Sequence, residues 1–232
     1  MKYPLVAILL ILGLLLPNLS NAQKRRFNPK QRFHAGIITG VNLSQIDGDD
    51  YSGYDKVGIM GGLQGIALLN RRTKLVAELL YSEKGSRVEN EIFFQSGKNR
   101  LLAMNYAEVP ILIRFSLLPE DANVQFEVEA GLAFSRLIQT KIEENVELLR
   151  FSYTEIEDQF RRSDLSYIIG GHAEFFPNFN IGMRSNMSLN KFYAYSDLEE
   201  LDRLMAKFGN KNIPYRHFRN FHLTFYVSYQ IY

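Results

Sequence analysis

The feature that limits this chain most is a two-residue hydrophobic period that recurs in eight segments. At the C-terminal end Phe221, Leu223, Phe225, Val227, Tyr229 and Ile231 alternate with His222, Thr224, Tyr226, Ser228 and Gln230. Successive side chains of a strand point to opposite faces, so such a segment predicts a strand with one apolar and one polar face. The same pattern sets Phe179, Ile181, Met183, Met187 and Leu189 against Asn180, Gly182, Arg184, Asn186, Ser188 and Asn190. It sets Leu165, Tyr167, Ile169, Ala173 and Phe175 against Ser166, Gly170, His172 and Glu174. Val124, Phe126, Val128, Ala130, Leu132 and Phe134 oppose Gln125, Glu127, Glu129, Gly131 and Ser135. Val109, Ile111, Ile113 and Phe115 oppose Glu108, Pro110, Leu112 and Arg114, and Leu75, Ala77, Leu79 and Tyr81 oppose Glu78, Ser82 and Lys84. Phe33, Ala35, Ile37, Val41 and Leu43 oppose His34, Gly36, Gly40, Asn42 and Ser44. The eighth segment, Val57 to Leu69, is blurred by its glycines.

Alternation alone also fits a soluble sandwich. Three features favour an eight-stranded antiparallel up-and-down transmembrane β-barrel, an all-β fold. Several segments run ten residues or more, the length a tilted strand needs to cross a bilayer, whereas strands of soluble sheets centre on about five or six. The connections alternate in length. Asn70 to Arg72, the stretch at Pro119 to Asp121, and Pro177-Asn178 are short; Gln45 to Lys56, Arg87 to Arg100, Ile138 to Ser163 and Lys191 to His217 are long. Short periplasmic turns and long outer loops are the outer-membrane arrangement. Aromatic residues also gather at strand ends (Phe33, Tyr81, Phe115, Phe134, Phe175, Phe176, Phe179 and Phe192), as expected where a ring meets the membrane interface.

The N-terminal end agrees with export. Lys2 precedes an apolar run from Leu5 to Leu16, Pro17 breaks it, and Ser20-Asn21-Ala22 supplies small residues for a signal peptidase. The run is too short to span a bilayer as a helix. We expect a signal peptide over 1–22 cleaved after Ala22, a basic periplasmic segment over 23–32, and the barrel over 33–232. The chain has no cysteine, which excludes a disulfide framework, a thiol nucleophile, a cysteine zinc site and lipoprotein anchoring. The net charge of +2 falls by one with Lys2, which leaves no basis for nucleic-acid binding.

Eight strands close a barrel that side chains can fill. Its inward positions include Glu78, Glu108, Arg114, Glu127, Glu129, His172, Glu174 and Arg184, with His34, Lys84, Gln125, Asn186 and His222 beside them. Charge cannot face lipid cheaply, so we expect these groups to pair inside and brace the lumen. His172 and Glu174, two apart on one face, are the weaker alternative of a metal pair. In the loops, Asp47-Gly48-Asp49-Asp50 reads as a solvated turn rather than a calcium site. Ser196-Asp197-Leu198-Glu199 resembles a capping box, and the following leucines predict an amphipathic outer helix from Asp197 to Phe208. The third loop, Lys141 to Arg162, fits either a helix or an extended hairpin. The residues call for no catalytic group, cofactor or metal; Ser196, Asp197 and His217 share a loop, but proximity in sequence is not a triad.

The run from Gly36 to Gly58, the stretch Glu78-Leu79-Leu80-Tyr81-Ser82-Glu83-Lys84-Gly85-Ser86, Tyr106-Ala107-Glu108-Val109-Pro110, and Ala130 to Leu137 resemble the PorT family of outer-membrane β-barrel proteins. The resemblance covers the first half of the mature chain; the second half matches in pattern only. It implies an eight-stranded barrel, mostly without assigned activity, and for the namesake a part in type IX protein secretion. The expected role is therefore a non-enzymatic structural or interaction protein of the outer membrane. Its expected partners are outer-membrane lipids and, through the long outer loops, other envelope proteins. A secretion subunit is the alternative, and a barrel enzyme acting at the outer rim ranks below it.

Overall fold

A computed structural model describes residues 32–48, 53–88, 100–119, 124–144, 153–154, 157–176, 178–194 and 217–231. The signal peptide expected over 1–22, the basic segment expected before Arg32, Asp49-Asp50 and the helix predicted over 197–208 lie outside the described residues. The strands are β1 (Phe33–Asp47), β2 (Lys56–Leu68), β3 (Thr73–Val88), β4 (Arg100–Ser116), β5 (Gln125–Glu144), β6 (Ser163–Phe176), β7 (Phe179–Ser188), a two-residue β8 (Tyr193–Ala194) and β9 (His217–Ile231).

Each long strand pairs antiparallel with the next, and β9 pairs with both β7 and β1, which closes an eight-stranded ring. β8 is a short bridge on the outer part of β9. The fold is an all-β, eight-stranded antiparallel up-and-down transmembrane barrel. Closure leaves no strand edge facing the hydrocarbon, where an unpaired backbone group would cost several kcal/mol.

The burial pattern is inverted relative to a soluble protein. Ile59, Leu63, Ile113 and Leu132 expose half or more of their surface, while Glu78, Glu108, Arg114, Glu129 and Arg184 expose 3% or less. Apolar outside and charged inside is the arrangement lipid demands. The period that sorts the residues is visible on β4, where Val109, Ile111, Ile113 and Phe115 are exposed and Glu108, Pro110, Leu112 and Arg114 are buried. On β5 the outward row from Phe126 to Phe134 covers about 27 Å of strand, which at a tilt of roughly 40° rises about 21 Å, most of an apolar belt of about 25 Å. The blurred β2 resolves as well: Val57, Ile59 and Leu63 face out, and Met60, Gln64 and Ile66 face in.

Turn chemistry explains the short end. Asn70 Oδ1 accepts the N–H groups of Arg72 and Thr73, which folds β2 back into β3. Asn178 has φ 73°, a left-handed conformation that Asn tolerates, in the tight connection between β6 and β7.

Two expectations change. The third long loop was expected to begin at Ile138, but β5 continues to Glu144 and pairs with β4 as far as Arg100. A bulge sits where Tyr106 pairs with Leu137 and Asn105 with Gln139. It skips Ile138 and exchanges the faces beyond it, which hides the strand from a fixed two-residue period. Phe192 was expected at the membrane interface. It is buried, because the chain folds inward over the barrel mouth there.

Candidate functional site

The lumen holds the buried chemistry of this protein. At its centre two carboxylates and two guanidinium groups form a closed, formally neutral cluster. Arg114 is the direct cross-strand partner of Glu129, and its Nε donates to Glu129 Oε2 at 2.7 Å. Arg184 Nε donates to Glu129 Oε1 at 2.5 Å. The same guanidinium grips Glu78 in a bidentate pair, Nη1 to Oε2 and Nη2 to Oε1, both at 2.7 Å. Arg114 Nη2 reaches Glu78 Oε1 at 3.3 Å. Tyr226 adds a hydroxyl donated to Glu129 Oε1 at 3.0 Å and lays its ring 4.4 Å under the Arg184 guanidinium. Removing such charges from water is costly, and only matched, hydrogen-bonded partners offset that cost.

Small residues make room for these long side chains. Gly170 lies in register between Glu129 and Arg184. A Cβ there would sit 2.9 Å from Arg184 Cγ and 2.5 Å from the Met183 carbonyl oxygen. Gly182 faces Tyr226 across the β7–β9 ladder, and a Cβ on it would lie 2.3 Å from the ring carbon Cζ.

Two further layers flank the cluster. Toward the short turns, Glu127 pairs with Lys74, accepts the Ser116 hydroxyl at 2.8 Å, and faces His172 Nε2 at 3.1 Å. Toward the long loops, Lys84 Nζ donates to Glu108 at 2.8 Å, and Ser135 donates to the same oxygen at 3.2 Å. Beside them a neutral chain runs Asn186 to Thr224, Thr224 to Asn42 and Asn42 to Ser82, linking β7, β9, β1 and β3.

Rings close the long-loop end. Tyr153, Phe160, Phe192, Tyr193 and Phe218 pack on Ile46, Leu102, Met104 and Tyr106 as one buried cluster. Phe160 meets Phe192 edge-on at 5.2 Å, and Phe192 stacks on Phe218 at 5.7 Å. Glu144 secures this lid by accepting the N–H groups of Tyr153 and Thr154, and Arg100 lies 3.6 Å over the Tyr153 ring. Below the rings Asn220 donates to the Tyr106 hydroxyl at 3.2 Å, from the strand opposite.

Of the expected lumen residues, Glu78, Arg114, Glu129 and Arg184 come together in one cluster. Glu127 joins His172 in the layer toward the turns, and Glu108 joins Lys84 in the layer toward the loops. Glu174 stands apart. It is half-buried at the short-turn rim, where it accepts the Asn178 N–H at 3.3 Å. His172 thus directs Nε2 at Glu127 rather than completing a pair with Glu174. Among the described residues no group of three His, Asp or Glu side chains is placed to hold a metal ion. Sequence reasoning missed Lys74, which precedes the first clear apolar position of β3, and missed the lid. Tyr226 was placed on the inward face, but its part in the cluster depends on the small residue opposite, Gly182.

Comparison with known proteins agrees with this architecture. The family model for the outer membrane protein β-barrel domain matches residues 21–194. No curated protein matches the chain. Among solved structures, the chain is similar to Ail, the attachment invasion locus protein of Yersinia pestis. Identity is 13%, with 87% of this chain and all of that one covered, at a TM-score of 0.43. Neisserial surface protein A matches at 11% identity over 85% of this chain and 97% of that one, at a TM-score of 0.41. The N-terminal barrel of Pseudomonas aeruginosa OprF matches at 10% identity over 87% of this chain and all of that one, at 0.38. The family match carries the assignment: the chain belongs to the outer membrane protein β-barrel domain family, and its place is the outer membrane.

Proposed function

We propose that this protein is a closed, non-enzymatic barrel that acts as a structural or interaction element of the outer membrane, an accessory subunit of an envelope complex. The observation that carries this reading is the lumen. The Glu78–Arg184–Glu129–Arg114 cluster crosses it, and the ring lid seals its outer end. A lumen crossed by these neutralised pairs favours a closed barrel over an aqueous route; the buried Asp164 and His222 stand outside the pairs, Asp164 accepting the Ser188 hydroxyl at 2.5 Å. Exposed chemistry is left to the lipid-facing wall and the outer rim. The reading includes export by a signal peptide cleaved after Ala22. Its test is crosslinking in intact outer membranes followed by affinity purification of the tagged chain. Recovery of a discrete set of envelope proteins, lost when the outer loops are shortened, is the expected result. Recovery of the barrel alone with the loops intact would contradict it.

The resemblance to the PorT family over Gly36 to Gly58 and Tyr106 to Pro110 favours a second reading, a component of the type IX secretion machinery. Deletion then blocks export of many secreted proteins at once, and unchanged export excludes it.

A further inference from the structure

On the long-loop side of the Arg184–Glu78 pair the lumen keeps a small cavity. It has room for about one water molecule, and every residue around it is buried. Asn42, Ser82, Glu108, Asn186, His222 and Thr224 bring polar groups to its wall. Most of these groups are already matched. Asn42 donates to Ser82 Oγ and to the Glu83 carbonyl, both at 3.0 Å, and accepts from Thr224 at 2.8 Å. Glu108 accepts from Lys84 and Ser135. His222 is the exception. Its Nδ1 has no hydrogen-bond partner among the described residues, although the residue is only 3% exposed. Its register partner on β7 is Asn186, which gives one of its two amide N–H groups to Thr224 at 3.2 Å and keeps the second.

A buried polar atom without a partner is costly. A cavity of this size stays dry when its wall is apolar, and holds an ordered water when two to four polar groups converge on it. Water both donates and accepts, so it can join groups that no direct contact connects. We propose that this cavity is a hydration site for a single ordered water that hydrogen-bonds His222 Nδ1 and joins it to Asn186 and Glu108. The water donates to Nδ1 and to the Glu108 carboxylate, and accepts the second Asn186 N–H. It thereby ties β9 and β7 to β4 and completes the bonding of the one lining side chain left outside the ion pairs and the Asn–Thr–Asn chain. The site goes beyond the closed-barrel reading: the lumen is blocked along its axis, yet hydrated at one fixed point. Its test reads a single position and is independent of whether the barrel serves a complex.

The test is a pair of crystal structures of the protein refolded in detergent, wild type and His222→Phe, each fine enough to place ordered waters. Phe keeps a ring at position 222 and removes both nitrogens. The wild type is expected to show one density peak in the cavity, about 2.7–3.2 Å from Nδ1 and from at least one of Asn186 and Glu108. The variant is expected to lose that peak. Heat-shifted gel mobility checks that the variant is folded, and the wild-type map decides alone if it is not. An empty cavity in the wild type, a peak that persists in the variant, or contacts much shorter than hydrogen bonds, the mark of a metal cation, would overturn the proposal.

Discussion

Arg184 on β7 and Glu78 on β3 stand on opposite walls of the ring, four strands apart in either direction, and meet in a bidentate pair with both contacts at 2.7 Å. A direct contact across the full width means the lumen has no open axis at that height. It also ties together two strands that no backbone ladder connects.

Breaking that pair leaves a charge in a water-poor interior. Glu78→Gln or Arg184→Met is expected to destabilise the barrel by about 3–5 kcal/mol. The double variant is expected to be more stable than the sum of the singles by at least about 1 kcal/mol, because neither charge is then stranded. Urea unfolding in lipid vesicles measures this. Additive losses would show that the two residues do not share one interaction.

The space over Gly182 belongs to the Tyr226 ring. Gly182→Val is expected to cost about 1–3 kcal/mol by overpacking, and to cost less in a Tyr226→Ser background where the ring is gone. Equal penalties in both backgrounds would place the strain elsewhere.

The lid is a separate packing unit. Phe192→Ala removes a ring that touches Phe160 and Phe218, a local loss of about 3 kcal/mol or more. Tryptic cleavage at Arg161 and Arg162 should accelerate while heat-shifted gel mobility of the barrel persists. Unchanged cleavage would mean that the rings do not hold the loop down.

The lipid-facing wall sets a depth scale. Ala130→Arg, at mid-height of the β5 row, is expected to cost about 2–4 kcal/mol, and Gln139→Arg, beyond the belt, about 0–1 kcal/mol. Refolding yields and unfolding midpoints in vesicles distinguish them, and a reversed order would displace the belt along β5.

Much of this was legible because a two-residue period is a strong signal wherever one face meets lipid. The inward assignment of Glu78, Glu108, Arg114, Glu129 and Arg184 followed from parity alone. Their partners did not. Which carboxylate meets Arg184 depends on ring closure, and Glu78 lies 106 residues away in sequence. The outer third of β5 was hidden by the bulge at Ile138, past which Gln139, Lys141 and Glu143 face out and Thr140, Ile142 and Glu144 turn inward. Phe192 was misplaced for a related reason. An aromatic residue after a strand looks the same whether it anchors at the interface or folds over the mouth, and only the neighbouring Phe160 and Phe218 decide between them.

The most direct measurement is single-channel conductance of the refolded protein in planar lipid bilayers. A lumen crossed by Arg184–Glu78 and capped by the ring lid predicts no stable conducting steps. Persistent channels of defined conductance from folded protein would contradict the closed barrel.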